Sequence, residues 1–122
     1  MNSTFSSTVP NVNLRQRIPQ QAIDQIVLQI AEKFLPQRII LFGSYAKDTP
    51  RPESDLDILV IMKTPLRETE QAIQIRQELN VLFGLDLLVY TPDNLTQRLE
   101  WGDSFLKEIT ESGTVVYESI NA

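Results

Sequence analysis

Two acidic residues at the head of an apolar strand constrain this chain more than any other feature. Asp55-Leu56-Asp57-Ile58-Leu59-Val60-Ile61-Met62 reads as one β-strand, and side chains on a strand alternate between its faces. Asp55 and Asp57 therefore share one face, while Leu56, Ile58, Val60 and Met62 share the other. Like charges this close raise each other's pKa and resist removal from water. A divalent cation relieves both costs, and hard oxygen ligands suit magnesium.

The residues just upstream complement that pair. Ile39-Ile40-Leu41-Phe42 is a short apolar run that stops at Gly43, the pattern of a buried strand. Ser44 is expected to cap a short helix beginning at Tyr45. Asp48 to Glu53 then form a loop, because Pro50 and Pro52 forbid regular pairing. Backbone N–H groups at a helix start attract phosphate, and Gly43, with no Cβ, lets phosphate approach the backbone closely. A phosphate cradle beside a carboxylate pair points to nucleotide chemistry.

Composition narrows the alternatives. With 122 residues the chain has room for one domain with a real core. A formal net charge of −5 and a pI near 4.6 argue against a long nucleic acid as direct partner. The absence of cysteine removes disulfides, thiolate metal sites and thiol catalysis, and is compatible with a reducing cytoplasm. The absence of histidine leaves acid–base work to carboxylates. No apolar run has membrane-spanning length, and MNSTFSSTVPNVN has neither the basic start nor the apolar core of a signal peptide. The expectation is a soluble cytoplasmic protein with no membrane partner.

In chain order, residues 1–17 are polar and read as a flexible tail, with the folded domain over 18–120. Arg15 and Arg17 read as solvated tail charges. Pro19 suits the first turn of a helix whose apolar face is Ala22, Ile23, Ile26, Val27, Ile30, Ala31 and Phe34, and Pro36 stops it. After Met62, Thr64 is the expected N-cap of a second helix with Ala72, Ile75, Leu79 and Leu82 on one stripe and Gly84 at its end. Leu85 to Tyr90 is a third strand with Asp86 near its start. Thr91-Pro92 opens a helix with Leu95 and Leu99 inward, and Trp101-Gly102-Asp103 breaks it. Asp103 or Ser104 restarts a helix carrying Phe105, Leu106 and Ile109, closed by Gly113, and Thr114 to Glu118 is a short edge strand. Trp101 reads as core, and Lys47 and Arg38 as solvated charges within possible reach of phosphate.

Alternating strands and helices predict an α/β domain, a small mixed sheet of three to four strands packed with helices. Strand order stays open at this level. If the strand bearing Asp86 lies beside that of Asp55 and Asp57, three carboxylates converge beside Gly43-Ser44. Each feature alone has an ordinary reading: a strand–helix turn, a capped loop, a polar strand start.

Together they resemble the nucleotidyltransferase superfamily that includes DNA polymerase beta, and most closely its minimal nucleotidyltransferases. The family hallmark is Gly-Ser, ten residues, then Asp-x-Asp; here it stands as Gly43-Ser44, Tyr45 to Ser54, and Asp55-Leu56-Asp57. Asp86 in GLDLLVY matches the family's third acidic residue, and the resemblance runs from about Pro19 to Glu118. One departure is Lys47-Asp48, where the family often has a glycine, as in GSYARG.

The resemblance implies a polymerase-beta-like nucleotidyltransferase fold and transfer of a nucleoside monophosphate from a nucleoside triphosphate, with release of pyrophosphate. It implies Asp55, Asp57 and Asp86 as catalytic ligands of two magnesium ions and Gly43 and Ser44 as nucleotide-binding. Stand-alone members of this size are often antitoxins that use ATP to adenylylate a tyrosine of a HEPN-type RNase toxin. That implies a magnesium-dependent protein adenylyltransferase. Two further readings are a small-molecule, aminoglycoside-type nucleotidyltransferase, and an antitoxin that neutralises its toxin by contact alone.

Overall fold

The computed structural model describes residues 17–51 and 54–120. The expectations for residues 1–16, Arg15 among them, and for Pro52 and Glu53 lie outside the described residues. The elements are α1 (Gln20–Phe34), β1 (Arg38–Phe42), a 3₁₀ turn (Gly43–Tyr45), β2 (Leu56–Ile61), α2 (Glu68–Glu78), β3 (Leu85–Tyr90), α3 (Pro92–Glu100), α4 (Ser104–Ser112) and β4 (Thr114–Glu118). The four strands form one mixed sheet in the order β3-β2-β1-β4. β1 is antiparallel to both β2 and β4, and β2 runs parallel to β3 with α2 as the crossover.

Both faces of the sheet are covered, which explains the near-continuous apolar strands. One face carries Ile39 and Leu41 of β1, Leu56, Ile58 and Val60 of β2, and Leu87 and Val89 of β3, under Ile23, Ile26 and Ile30 of α1 and Ile75 of α2. The other carries Ile40, Leu59 and Ile61, packed against Leu95 of α3 and Leu106 and Ile109 of α4. By strand alternation, Asp57 and Asp86 belong to this second face. They stand at the end where β2 and β3 start and β1 stops.

Most helix signals hold, with instructive exceptions. Pro19 precedes α1 as its cap residue instead of entering the first turn, and Leu35, at φ 51°, ends the helix before Pro36 is reached. Thr91 and Asp103 cap α3 and α4 by accepting the N–H groups of Asn94 and Leu106. Thr64 does not cap α2. Its hydroxyl accepts from the Leu66 N–H and donates to buried Gln71, and the helix begins at Glu68. Nor does Gly84 end α2, which stops at Glu78 with Leu79 already extended and Leu82 99% exposed. Trp101 is 71% exposed, not core, because it falls off the Leu95–Leu99 stripe at the turn where Gly102 takes φ 86°.

The departure at Asp48 also finds its explanation. Asp48 adopts φ 56°, the left-handed region where a glycine would be unstrained. Aspartate is among the few other residues that tolerate it, so the loop keeps a glycine-like backbone without the glycine. Asp48→Gly should therefore be more stable than Asp48→Ala by about 1 kcal/mol, measured by urea denaturation of both variants. Equal stabilities would show that the left-handed geometry carries no strain.

Candidate functional site

The site grows from the strand ends. β2 and β3 are parallel neighbours in a register that sets Asp57 directly opposite Asp86, and adjacent strands lie ~4.8 Å apart. On the other side of β2, Asp57 is the register partner of Phe42, the last residue of β1. The chain then turns through Gly43 at φ 74°. A Cβ on Gly43 would lie 2.2 Å from Asp57 Oδ2, so the glycine is required both by the turn and by the carboxylate against it. Gly84 does the same for Asp55: its Cβ would lie 2.0 Å from Asp55 Oδ1. That glycine therefore lies against a carboxylate and does not end a helix.

These residues open onto a cleft of about 350 Å³ lined by Gly43, Asp57 and Asp86 on one side and by Phe105, Glu108 and Ser112 of α4 on the other. Phe42 and Phe105 meet edge to face across it, with ring centroids 6.0 Å apart. Lys47 lines the cleft too and pairs with Glu108 at 3.6 Å. Arg38 opens β1 at the end away from Phe42, ~13 Å off by strand rise, and is not among the cleft's lining residues.

Electrostatics mark Asp57 as the strained member. Its pKa is pushed up from 3.8 to about 6, first by burial and then by the charges of Asp86 and Asp55. Asp57 is half-buried, whereas Asp55 and Asp86 are exposed. The donors are all hard carboxylate oxygens short of positive charge, which fits a magnesium-type ion. They are not a finished cage, since among the described residues no three ligating side chains stand grouped to hold a metal. Asp57 and Asp86 line the cleft; Asp55 acts on Asp57 through its charge but is not part of the lining.

Ser44 also departs from expectation. It sits inside the 3₁₀ turn, whose cap residue is Phe42, and no side-chain oxygen caps it. Its carbonyl accepts the Thr49 N–H at 3.0 Å, closing the loop that follows. What Gly43-Ser44 offers at the turn's start is thus backbone amides, which a short helix leaves without intrahelical partners. Sequence reasoning placed Phe105 and Ile109 on one helical stripe, yet the role of α4 as a cleft wall had no local signal. Glu108 and Ser112 reach the cleft only through the packing of α4 on β1 and β2.

The shift of Asp57 has a sign that can be tested. Its folded pKa lies above the unfolded value, so the stability it contributes is present below about 3.8 and is lost as pH rises through about 6. Asp57→Asn should match wild type near pH 4 in metal-free buffer. It should become the more stable protein above pH 6, by roughly 1–2 kcal/mol after solvent screening. Urea melts at both pH values check this, and a gap that does not grow with pH would remove the charge strain.

Comparison with known proteins follows the same outline. The sequence profile of the nucleotidyltransferase domain matches residues 23–117. A candidate protein adenylyltransferase of Methanocaldococcus jannaschii is 28% identical over 102 residues, spanning 80% of this chain and 97% of that protein. Among solved structures, a candidate nucleotidyltransferase from Sulfolobus solfataricus superposes with a TM-score of 0.56 at 16% identity, covering 80% of this chain and 78% of its own. A toxin–antitoxin structure with AMP-PNP superposes with a TM-score of 0.51 at 21% identity, covering 80% and 75%. At these identities the two structures establish a shared fold.

Proposed function

The chain belongs to the nucleotidyltransferase domain family, and from that premise we propose that it is a magnesium-dependent protein adenylyltransferase. It moves AMP from ATP to a tyrosine hydroxyl of a HEPN-type RNase toxin and so serves as the antitoxin of the pair. The observation that carries the reading is Asp57, register partner of Asp86 on the neighbouring strand, facing Gly43 at the wall of an open cleft. The adenylyl-transfer part draws support from the M. jannaschii relative, of which this chain spans nearly the whole length. The toxin partner draws support from the fold shared with a toxin–antitoxin structure. The HEPN class and the tyrosine rest on the family resemblance.

The chemistry is an in-line displacement. The acceptor hydroxyl oxygen attacks the α-phosphorus of ATP, the bond from that phosphorus to the bridging oxygen breaks, and pyrophosphate leaves. Asp86, exposed at the cleft, takes the hydroxyl proton. The backbone amides of Gly43 and Ser44 hold the outgoing phosphates. Phe42 and Phe105 form an apolar wall that keeps water, the competing acceptor, from the reacting centre. Asp55, Asp57 and Asp86 are the residues to hold magnesium, which when bound supplies the positive charge that stabilises the transferring phosphoryl oxygens.

Asp57→Asn should fold normally yet lose transfer by more than ~10³-fold, above the usual effect of removing one preorganised group. Asp86→Asn should be severely impaired as well. The assay incubates the pure protein with its co-purifying partner, magnesium and ATP and reads the intact mass of the partner. An unmodified partner that regains activity on separation would replace this function with neutralisation by contact. Wild-type turnover by the Asp57→Asn variant would remove Asp57 from the reaction.

A further inference from the structure

The Gly43–Tyr45 turn has an attachment on the side away from the cleft. Tyr45 is buried and joins the core cluster beneath α1 and α2 instead of lining the cleft. Its hydroxyl accepts the backbone N–H of Ile18 at 2.8 Å in a buried hydrogen bond, and Ile18 is itself buried in the same cluster. Arg17 lies over the Tyr45 ring, 5.8 Å from its centroid, and donates to Asp48 Oδ1 at 3.1 Å. One dipeptide thus grips the last residue of the turn and also the left-handed residue three positions on.

The turn's other bonds are local: the Ser44 carbonyl accepts the Thr49 N–H and the Tyr45 carbonyl that of Asp48. The whole is a single 3₁₀ turn in which the Gly43 carbonyl accepts from Ala46 and Lys47, and such short helices are easily deformed. A loop that must present backbone amides to a phosphate binds better when it is already in the binding shape, because less freedom is lost on association.

We infer that Arg17-Ile18 is a strap on the nucleotide-binding turn and that Tyr45 is the positioning residue through which it acts. Affinity for the triphosphate is then set in part by the segment leading into α1. The inference rests on the nucleotidyltransferase reading for its ligand. The two grips are unequal. The buried Tyr45–Ile18 bond leaves an unpaired N–H when broken, whereas the Arg17–Asp48 pair is exposed and weakened by salt.

Tyr45→Phe removes one oxygen and keeps the ring, and Arg17→Ala removes the exposed pair with Asp48 and the contact over the Tyr45 ring. Both are compared with wild type in the full chain, by amide hydrogen exchange and by equilibrium binding of a non-hydrolysable ATP analogue with magnesium. For Tyr45→Phe we expect exchange at Ser44 to Lys47 to quicken about tenfold while amides of β2 and β3 hold their rates. The analogue's Kd should rise about fivefold. Arg17→Ala should show a smaller loss, about twofold at low salt, that fades at high salt. Unchanged exchange and Kd in both variants overturn the strap. Exchange that quickens equally across the sheet overturns it too, since Tyr45 is then only a core residue. Quickened exchange in the turn with an unchanged Kd severs the strap from nucleotide binding and overturns the inference. Wild type that binds no analogue is a different failure: it overturns the nucleotidyltransferase reading, and the strap with it, before any variant is compared.

Discussion

The site depends on a repulsion. Parallel pairing of β2 with β3 places Asp57 and Asp86 at one level of the sheet, and two carboxylates ~5 Å apart repel by about 3 kcal/mol at an effective dielectric of ~20. Water around the exposed Asp86 screens part of this, but Asp57 is half-buried and bears a desolvation cost as well. The well-packed Ile58, Leu59, Val60 and Ile61 behind it hold the strand in place, so the repulsion cannot be relieved by sliding the register. A core of this kind keeps a charge where a chain free to relax would release it to water. Two outlets remain: a proton, which Asp57 takes up as pH falls through about 6, and, in the function proposed above, a cation with the phosphates that accompany it.

The rest of the architecture makes room for that outlet. Gly43 and Gly84 give up their side chains to let Asp57 and Asp55 lie against the backbone. α4 packs on the same sheet face through Leu106 and Ile109 and leaves the strand ends uncovered, so the acidic pair meets a cleft and not a closed core. α1 and α2 cover the opposite face, and the strap at Arg17-Ile18 ties that layer to the turn bearing the amides. Each helix layer thus contributes to one lip of the site, with the sheet as common reference.

Much of this was legible before any coordinates. The acidic pair on β2, the glycine turn, the third carboxylate on β3 and the edge strand β4 all follow from strand alternation and local breakers, and their spacing carries the family resemblance. Strand order was not legible, because neither periodicity nor propensity says which strand neighbours which. The condition set for the three carboxylates to converge, β3 beside β2, is met, and the charges of both Asp86 and Asp55 act on Asp57. Asp55 precedes the strand proper and rests beside Gly84, so it approaches Asp57 from outside the cleft lining. Gly84 and Trp101 were misread for one reason: a local signal, a helix stop or a large apolar ring, was given its commonest meaning. Tertiary packing assigned another. Asp48 shows the reverse, since backbone geometry survives there although the residue that usually provides it is missing.

The central claim is that the Asp57–Asp86 pair is charge-strained until a metal-bound triphosphate arrives. Thermal melts of wild type and Asp57→Asn, each with and without magnesium plus a non-hydrolysable ATP analogue, test it most directly. Ligand that binds only the folded state raises the midpoint by mass action, so wild type should gain several degrees and the variant far less. Equal shifts in the two proteins would contradict the account, because Asp57 would then have no part in holding the ligand.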